Sequence, residues 1–223
     1  MGKYKYETHL HTDESSQCAR VPAVEAVRIY HSNGYAGIVV TDHYFSRVFE
    51  KLSFSDWERK IDCFLSGYRK ALDEGIKIGL DVHLGMEIRF DENDNDYLVY
   101  GIDEAFLKEN RKLYRLTLEE FRELVAGKDI AIVQAHPFRH GMIPAPPSLL
   151  DGVEAWNGHP RHNSNNHLAF EYAEKYGLKM LSGSDFHRLE DAFTGGVIID
   201  RKVNTGEFGR LILQNYPMEL LQP

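Results

Sequence analysis

Two imidazoles, His9 and His11, stand two residues apart at the end of the short strand-like run "ETHLHT". Side chains alternate along a strand, so both rings face the same way with their nitrogens a few ångströms apart, which is the spacing of metal ligands. Further residues of the same kind recur along the chain. Asp42 and His43 follow "GIVV", Glu87 lies in "LGMEI", and His136 follows "IAIVQA". Asn157 and His159 follow "GVEAW", and Asp185 and His187 follow "KMLSGS". Nitrogen and carboxylate donors without thiolate suit zinc, manganese or iron. A catalytic zinc takes about three protein ligands, so this set implies two or three divalent ions. Ions held roughly 3.5 to 4 Å apart share a carboxylate and a water, and act on phosphoryl groups by lowering that water's pKa and clamping the attacking and leaving oxygens. Glu87, central in the order, is the expected bridge.

The elements that must position these residues follow from hydrophobic rhythm, short apolar runs alternating with longer amphipathic segments. "VPAVEAVRIYHSNG" reads as a helix with Pro22 at its start and Gly34 just past its end. "AGIVV" reads as a buried strand, "DWERKIDCFLSGYRKALDEG" as a helix ending at Gly75, "IKIGLDVHLGMEI" as a strand region and "YLVYGI" as its extension. "TLEEFRELVAG" carries Thr117 and Glu120 as a capping box before Gly127. The strands "IAIVQA", "GVEAW", "LKMLSGS" and "GGVIID" follow, with the helix "NHLAFEYAEKYG" between the second and third. The expected class is α/β, a β/α barrel or barrel-like fold of six or seven strands with the donors at its carboxyl-terminal rim. A doubly wound open sheet gives the same local pattern.

A chain of 223 residues, 43% hydrophobic and 12% aromatic, can bury a full core as one domain, 1–223. No run approaches a membrane span and no signal peptide opens the chain, so a soluble, cytoplasmic protein is expected. "MGKYKY" has Tyr6 where myristoylation wants Ser or Thr. Two cysteines, Cys18 and Cys63, are too few for a disulfide framework or a thiolate zinc site, and Cys63 reads as core. The net charge of -8 disfavours nucleic acid as a partner. It leaves room for a small anionic substrate drawn by bound metal.

"HLHT", "TDH", "GMEI", "AHP" and "GSDFH", in this order over residues 7–187, resemble the polymerase and histidinol phosphatase (PHP) superfamily of metal-dependent phosphoesterases. The resemblance implies a distorted barrel with a two- or three-metal centre. Carried onto this chain, His9, His11, Glu87 and Asp185 would hold the first ion. Glu87 and His136 would hold the second with a side chain from "NGHPRH", His159 favoured over His162, and His43 and His187 would belong to a third position. Members with three ions carry another His or a nearby Asp shortly after the first motif, where this chain reads "SSQC". Ser16 and Gln17 are poor replacements, and Asp13 or Glu14 would have to bend back. Two tight ions are therefore expected, with the third weak or missing, which frees His43 and His187 to protonate the leaving oxygen or touch phosphate.

Arg139, three residues after His136, is a candidate phosphate contact, with Arg161 and Arg20 as weaker ones. His31 suits a helix carboxyl end. His83 reads as a packed or surface residue, and His140 and His167 as solvent-facing. "DENDND" (91–96) lacks the glycine and glutamate of a calcium loop and reads as a solvated turn. "SGSDFH" is not a serine-hydrolase elbow, so Ser184 is assigned to shaping the turn that presents Asp185. "PAPP" could form a loop over the site.

The function expected first is a phosphatase, a hydrolase of phosphoric esters acting on a small phosphomonoester through metal-activated water. A phosphodiesterase, nuclease or phosphotyrosine phosphatase on the same centre comes next. A metal-binding scaffold without turnover is third, against which stands the nearly complete donor set.

Overall fold

The computed structural model describes residues 2–222. Ten strands form one sheet: β1 (Tyr4–Leu10), β2 (Tyr35–Val40), β3 (His43–Tyr44), β4 (Asp81–Arg89), β5 (Asp96–Tyr100), β6 (Ala131–Gln134), β7 (Gly152–Asn157), β8 (Lys179–Gly183), β9 (Val197–Ile199) and β10 (Glu219–Leu220). Their order is β10-β9-β1-β2-β4-β5-β6-β7-β8, with β3 beside β4. The sheet curls until its two sides meet. Thr8 Oγ1 donates to the Ser182 carbonyl at 2.6 Å, and the His11 amide donates to the Phe186 carbonyl at 3.0 Å. The result is a nearly closed, distorted barrel.

Strands β3 and β10, with two residues each, are too short to write a hydrophobic pattern, and "YLVYGI" forms a strand of its own, β5, rather than extending β4. The sheet is not parallel throughout: β5 runs antiparallel to both β4 and β6. The connection from β4 to β5, Phe90 and the five polar residues 91–95, is too short for a parallel crossover, so the chain must turn straight back.

Eight α-helices accompany the sheet: α1 (Ala23–Ser32), α2 (Ser46–Glu50), α3 (Trp57–Phe64), α4 (Ser66–Ile78), α5 (Glu104–Glu109), α6 (Leu118–Leu124), α7 (Asn166–Tyr176) and α8 (Phe208–Leu213). Helix α1 buries Ala23, Ala26, Val27 and Tyr30, one face at helical spacing, and its free first amide is taken by Glu14 Oε2 at 2.9 Å. The capping box at Thr117 and Glu120 forms as the sequence predicts. The long helix expected to end at Gly75 breaks instead at Leu65 and runs on to Ile78, where Gly79 adopts the left-handed conformation, φ 84°. Gly75 serves packing. A Cβ there would stand 2.6 Å from the Leu80 carbonyl oxygen, so glycine lets the chain fold back tightly into β4. Cys63, expected in the core, lies exposed on α3. Among the described residues no helix is long and apolar enough to cross a membrane.

Tyr6, Val39, Leu98, Tyr100, Val133 and Leu181 fill the barrel interior, and Phe208 of α8 packs on Tyr6 and Tyr100 at the amino-terminal end. His83 is sealed there, 3% exposed and 4.9 Å from the Phe208 ring, with neither ring nitrogen hydrogen-bonded. Burial, only partly opposed by Asp81 and Glu207, lowers its pKa to about 4. Between the ordinary histidine value and 4 the unfolded chain therefore binds the extra proton, and stability falls as pH falls through that window, by roughly 3 kcal/mol at most. The His83→Phe variant should lose correspondingly less of its urea midpoint between pH 7 and pH 4 than the parent. An equal loss in both would contradict this account.

Candidate metal centre

The carboxyl-terminal rim gathers the donors. His9 ends β1 and His11 follows it, both fully buried, with their Nε2 atoms 3.0 Å apart. His9 Nδ1 lies 2.8 Å from Glu154 Oε1, which fixes the proton on Nδ1 and turns the Nε2 lone pair toward the centre. Glu154, on β7, accepts from the His136 amide at 3.0 Å and from Asn157 Nδ2 at 2.8 Å. A second buried carboxylate, Glu7, accepts from the amides of Thr8, His9 and Ser184 and from the hydroxyls of Tyr30 and Ser184, tying β1 to the turn that presents Asp185. Ser184 thus shapes that turn through Glu7. The close approach needs Gly183, where a Cβ would stand 2.5 Å from the His9 Cβ.

Glu87 occupies the middle. Its Oε1 lies 3.2 Å from His136 Nε2 and 3.3 Å from His9 Nε2, and its Oε2 lies 3.5 Å from His11 Nε2 and 2.7 Å from His43 Nδ1. Asp185 Oδ1 is 3.5 Å from His9 Nε2, 3.6 Å from His11 Nε2 and 3.3 Å from His187 Nδ1. Three metal-competent groups surround Glu87: His9, His11 and Asp185; Glu87, Asp96 and His136; and His11, His43 and His187. His136 and Asp185 both have positive φ, 28° and 52°, a conformation that non-glycine residues hold only when the surroundings impose it.

Asp96 is a donor that strand-end reasoning passes over. It is buried, with Oδ2 4.0 Å from His136 Nε2, and it also binds Arg89 through two contacts of 2.8 Å. Because β5 runs antiparallel, its first residue, not its last, reaches the rim. "DENDN" is a turn, but the final Asp of "DENDND" opens a strand.

His159 stands apart from the Glu87–Asp96–His136 group and clusters with His187 and Asp191. Arg161 binds both Asp191 oxygens and sits 2.9 Å from His159 Nε2. His162 is exposed nearby. Asp42 faces away from the donors and accepts from the Thr12 amide, Thr12 Oγ1 and Ser16 Oγ. Ser16 is consumed by that contact, Glu14 by capping α1, and Gln17 and Asp13 are exposed. Arg139 binds Asp185 Oδ2 at 2.7 Å and Asn157 Oδ1 at 2.8 Å. His31, His140, His167 and Arg20 are exposed. The Pro-rich loop packs through Ala145 against Gln134 and Tyr172, lining a separate hollow.

The donors fit divalent ions. Ligand atoms about 2.0 to 2.2 Å from a shared ion stand roughly 3.0 to 3.6 Å from one another, the range of the contacts that His9, His11 and His136 make with each other, Glu87 and Asp185. Glu87 Oε2, His136 Nδ1 and His43 Nδ1 are moreover buried without a hydrogen-bond partner. Burial would raise the Glu87 carboxyl, but His9, His43 and His136 outweigh it and hold it well below the usual range. Burial likewise opposes ionisation of Asp185, and His9, His11, His187 and Arg139 reverse it. Burial together with His187 and His43 keeps His11 neutral. Burial raises Asp96, reinforced by Glu87. The centre opens into a cleft of about 360 Å³ whose walls include Arg139, Arg161, Arg188 and His162.

Neither a family model nor a curated protein sequence matches the chain. Solved structures do. A two-domain protein from Bacteroides vulgatus, described as containing a predicted PHP-like metal-dependent phosphoesterase, superposes with TM-score 0.69 at 17% identity, covering 99% of this chain and 65% of that one. The chain thus spans just under two thirds of that protein. PsfC from Pseudomonas syringae matches with TM-score 0.69 at 16% identity over 100% of this chain and 93% of its own. An amidohydrolase from Chromobacterium violaceum, solved with sulfate and no metal, matches with TM-score 0.57 at 16% identity over 98% of both chains. At these identities the likeness establishes the fold: the chain has the distorted barrel of structures described as PHP-like metal-dependent phosphoesterases.

Proposed function

We propose that the protein is a metal-dependent phosphoesterase that hydrolyses a small phosphomonoester. The observation that carries this reading is Glu87, whose two oxygens are shared between the His9–His11–Asp185 group and the Asp96–His136 group at the floor of an arginine-walled cleft. Divalent ions bound there would acidify water and offset charge on phosphoryl oxygens. Zinc, manganese and iron all suit the donors.

The chain's own groups do the rest. Arg139, with Nε buried and unpartnered, is placed to swing one guanidinium face from Asp185 to a phosphate once Asp185 is engaged by an ion. Arg161, held by Asp191, supplies fixed positive charge beside it. Burial opposes protonation of His187, but in the metal-free site Asp185 and Cys18 overcome it and raise its pKa to about 9, and its place in the cleft wall suits it to protonate a departing oxygen. The cleft volume suits a small substrate better than a nucleic-acid strand.

The test is phosphate release from a panel of sugar, nucleoside and amino-acid phosphomonoesters, set beside phosphodiesters and phosphotyrosine peptides, with each metal added. Turnover of diesters or phosphotyrosine alone would replace this reading with the second one. Metal binding without release from any ester would leave a scaffold. Arg139→Ala should raise KM for the best ester at least about 10-fold, with Arg139→Lys recovering little of it, because a lysine cannot make the bidentate contact. An unchanged KM would remove Arg139 from the phosphate site.

A further inference from the structure

The third metal position lacks the nitrogen or carboxylate donor expected after "HLHT", yet the chain places a different atom there. We propose that Cys18 is a metal ligand, and that its sulfur joins the Nε2 atoms of His43 and His187 to hold a third divalent ion of thiophilic character. This rests on the metal-centre reading above.

Cys18 Sγ lies 3.1 Å from His43 Nε2, at the mouth of the same cleft. Both imidazoles turn Nδ1 inward. His43 Nδ1 faces Glu87 Oε2 at 2.7 Å, and His187 Nδ1 faces the Asp185 carbonyl at 2.9 Å. Each ring therefore leaves Nε2 for the cleft, where Cys18 stands. For His187 this is the carbonyl-to-imidazole contact that sets the tautomer of metal-binding histidines. Glu87 is 1% exposed, and the negative charge of its Oε2, 2.7 Å behind His43 Nδ1 and without a well-formed hydrogen bond, favours a cation on the far side of that ring.

The dimensions agree. With metal–sulfur and metal–nitrogen bonds of about 2.3 and 2.0 Å, tetrahedral geometry separates sulfur from nitrogen by about 3.5 Å, so the observed contact needs to open by a few tenths of an ångström. Two imidazoles on one such ion place their ring centres roughly 5 Å apart, and those of His43 and His187 are 5.6 Å apart. The residues in between explain why sulfur is needed: Ser16 is spent on Asp42, and Gln17 points to Lys51. A thiolate favours zinc or iron over magnesium or manganese at this position. With both rings on an ion, neither Nε2 carries a proton, so the acid role of His187 in a two-ion centre and this third ion exclude each other.

The experiment titrates Co²⁺ into metal-free Cys63→Ser protein, in which Cys18 is the remaining thiol, and follows absorbance, bound metal after dialysis and alkylation by iodoacetamide. The expected result is a thiolate-to-cobalt charge-transfer band in the near ultraviolet that grows with the third equivalent, together with at least about 10-fold slower alkylation. Adding Cys18→Ser should abolish the band and the third equivalent while two equivalents stay bound. Cys18→His should restore the third equivalent without the band. Two retained equivalents with no thiolate band, or a Cys18→Ser protein that holds a third ion as tightly as before, would overturn the proposal and leave the phosphoesterase reading intact. Failure to bind any ion would overturn both.

Discussion

Replacing Glu87 by Gln should lower kcat/KM by at least about 10³-fold and leave fewer than two ions bound after dialysis, with KM for the ester a minor part of the loss. The amide keeps the shape of the side chain but gives up one oxygen donor and the charge that balances His9, His43 and His136. Four imidazole nitrogens would then face a neutral, buried group, and ions shared between two donor sets would lose their common ligand. Metal content and steady-state kinetics on the same preparation check the expectation together. A Glu87→Gln protein that keeps full metal occupancy and more than a tenth of the activity would mean that the reaction proceeds elsewhere in the cleft.

Removing the ions should cost stability on a scale visible in a thermal melt. An ion at 1,000 times its dissociation constant stabilises the folded state by about 4 kcal/mol, and a domain of this length gains roughly 2 to 4 °C per kcal/mol. Chelation should therefore lower the melting temperature by about 8 to 16 °C, and adding back zinc or manganese should restore it. The physical source is the crowd of buried groups at the rim. Glu87 and Asp185 are almost wholly buried beside fully buried His9 and His11, and without ions each has one close charge partner, His43 for Glu87 and Arg139 for Asp185 at 2.7 Å, while their contacts to His9 and His11 are long, 3.3 to 3.6 Å. A melt unaffected by chelation, in protein first shown to carry metal, would mean that the donors are held rigid by the barrel alone.

The sequence makes much of this centre legible because several donors obey local rules. His9 and His11 share a face by strand alternation, and His136, Asp185 and His187 follow parallel strands whose apolar runs are plain to read. Helix α6 announces itself by its capping box, and α1 by Pro22 at its start and Gly34 just past its end. The break at Leu65 and the continuation past Gly75 are not legible, because there the backbone answers to the Leu80 carbonyl rather than to its own helix propensity. Cys63 falls within an apolar helical pattern but on its outer face.

Taken alone, the sequence determined the kinds of donor and the place of most of them at the ends of hydrophobic runs, since side-chain chemistry and strand periodicity are properties of a few neighbouring residues. Only the tertiary structure decided which donors lie together. Strand direction brings Asp96 to the rim from the start of β5, and barrel closure lays β8 beside β1 and seats Glu154 and Glu7 behind His9. The packing of the loop after His11 carries Cys18, not Ser16 or Gln17, to 3.1 Å from His43 Nε2. The closure of β8 on β1, the Glu154–His9 pair and the approach of Cys18 to His43 join residues 174, 145 and 25 positions apart, and no local pattern records them.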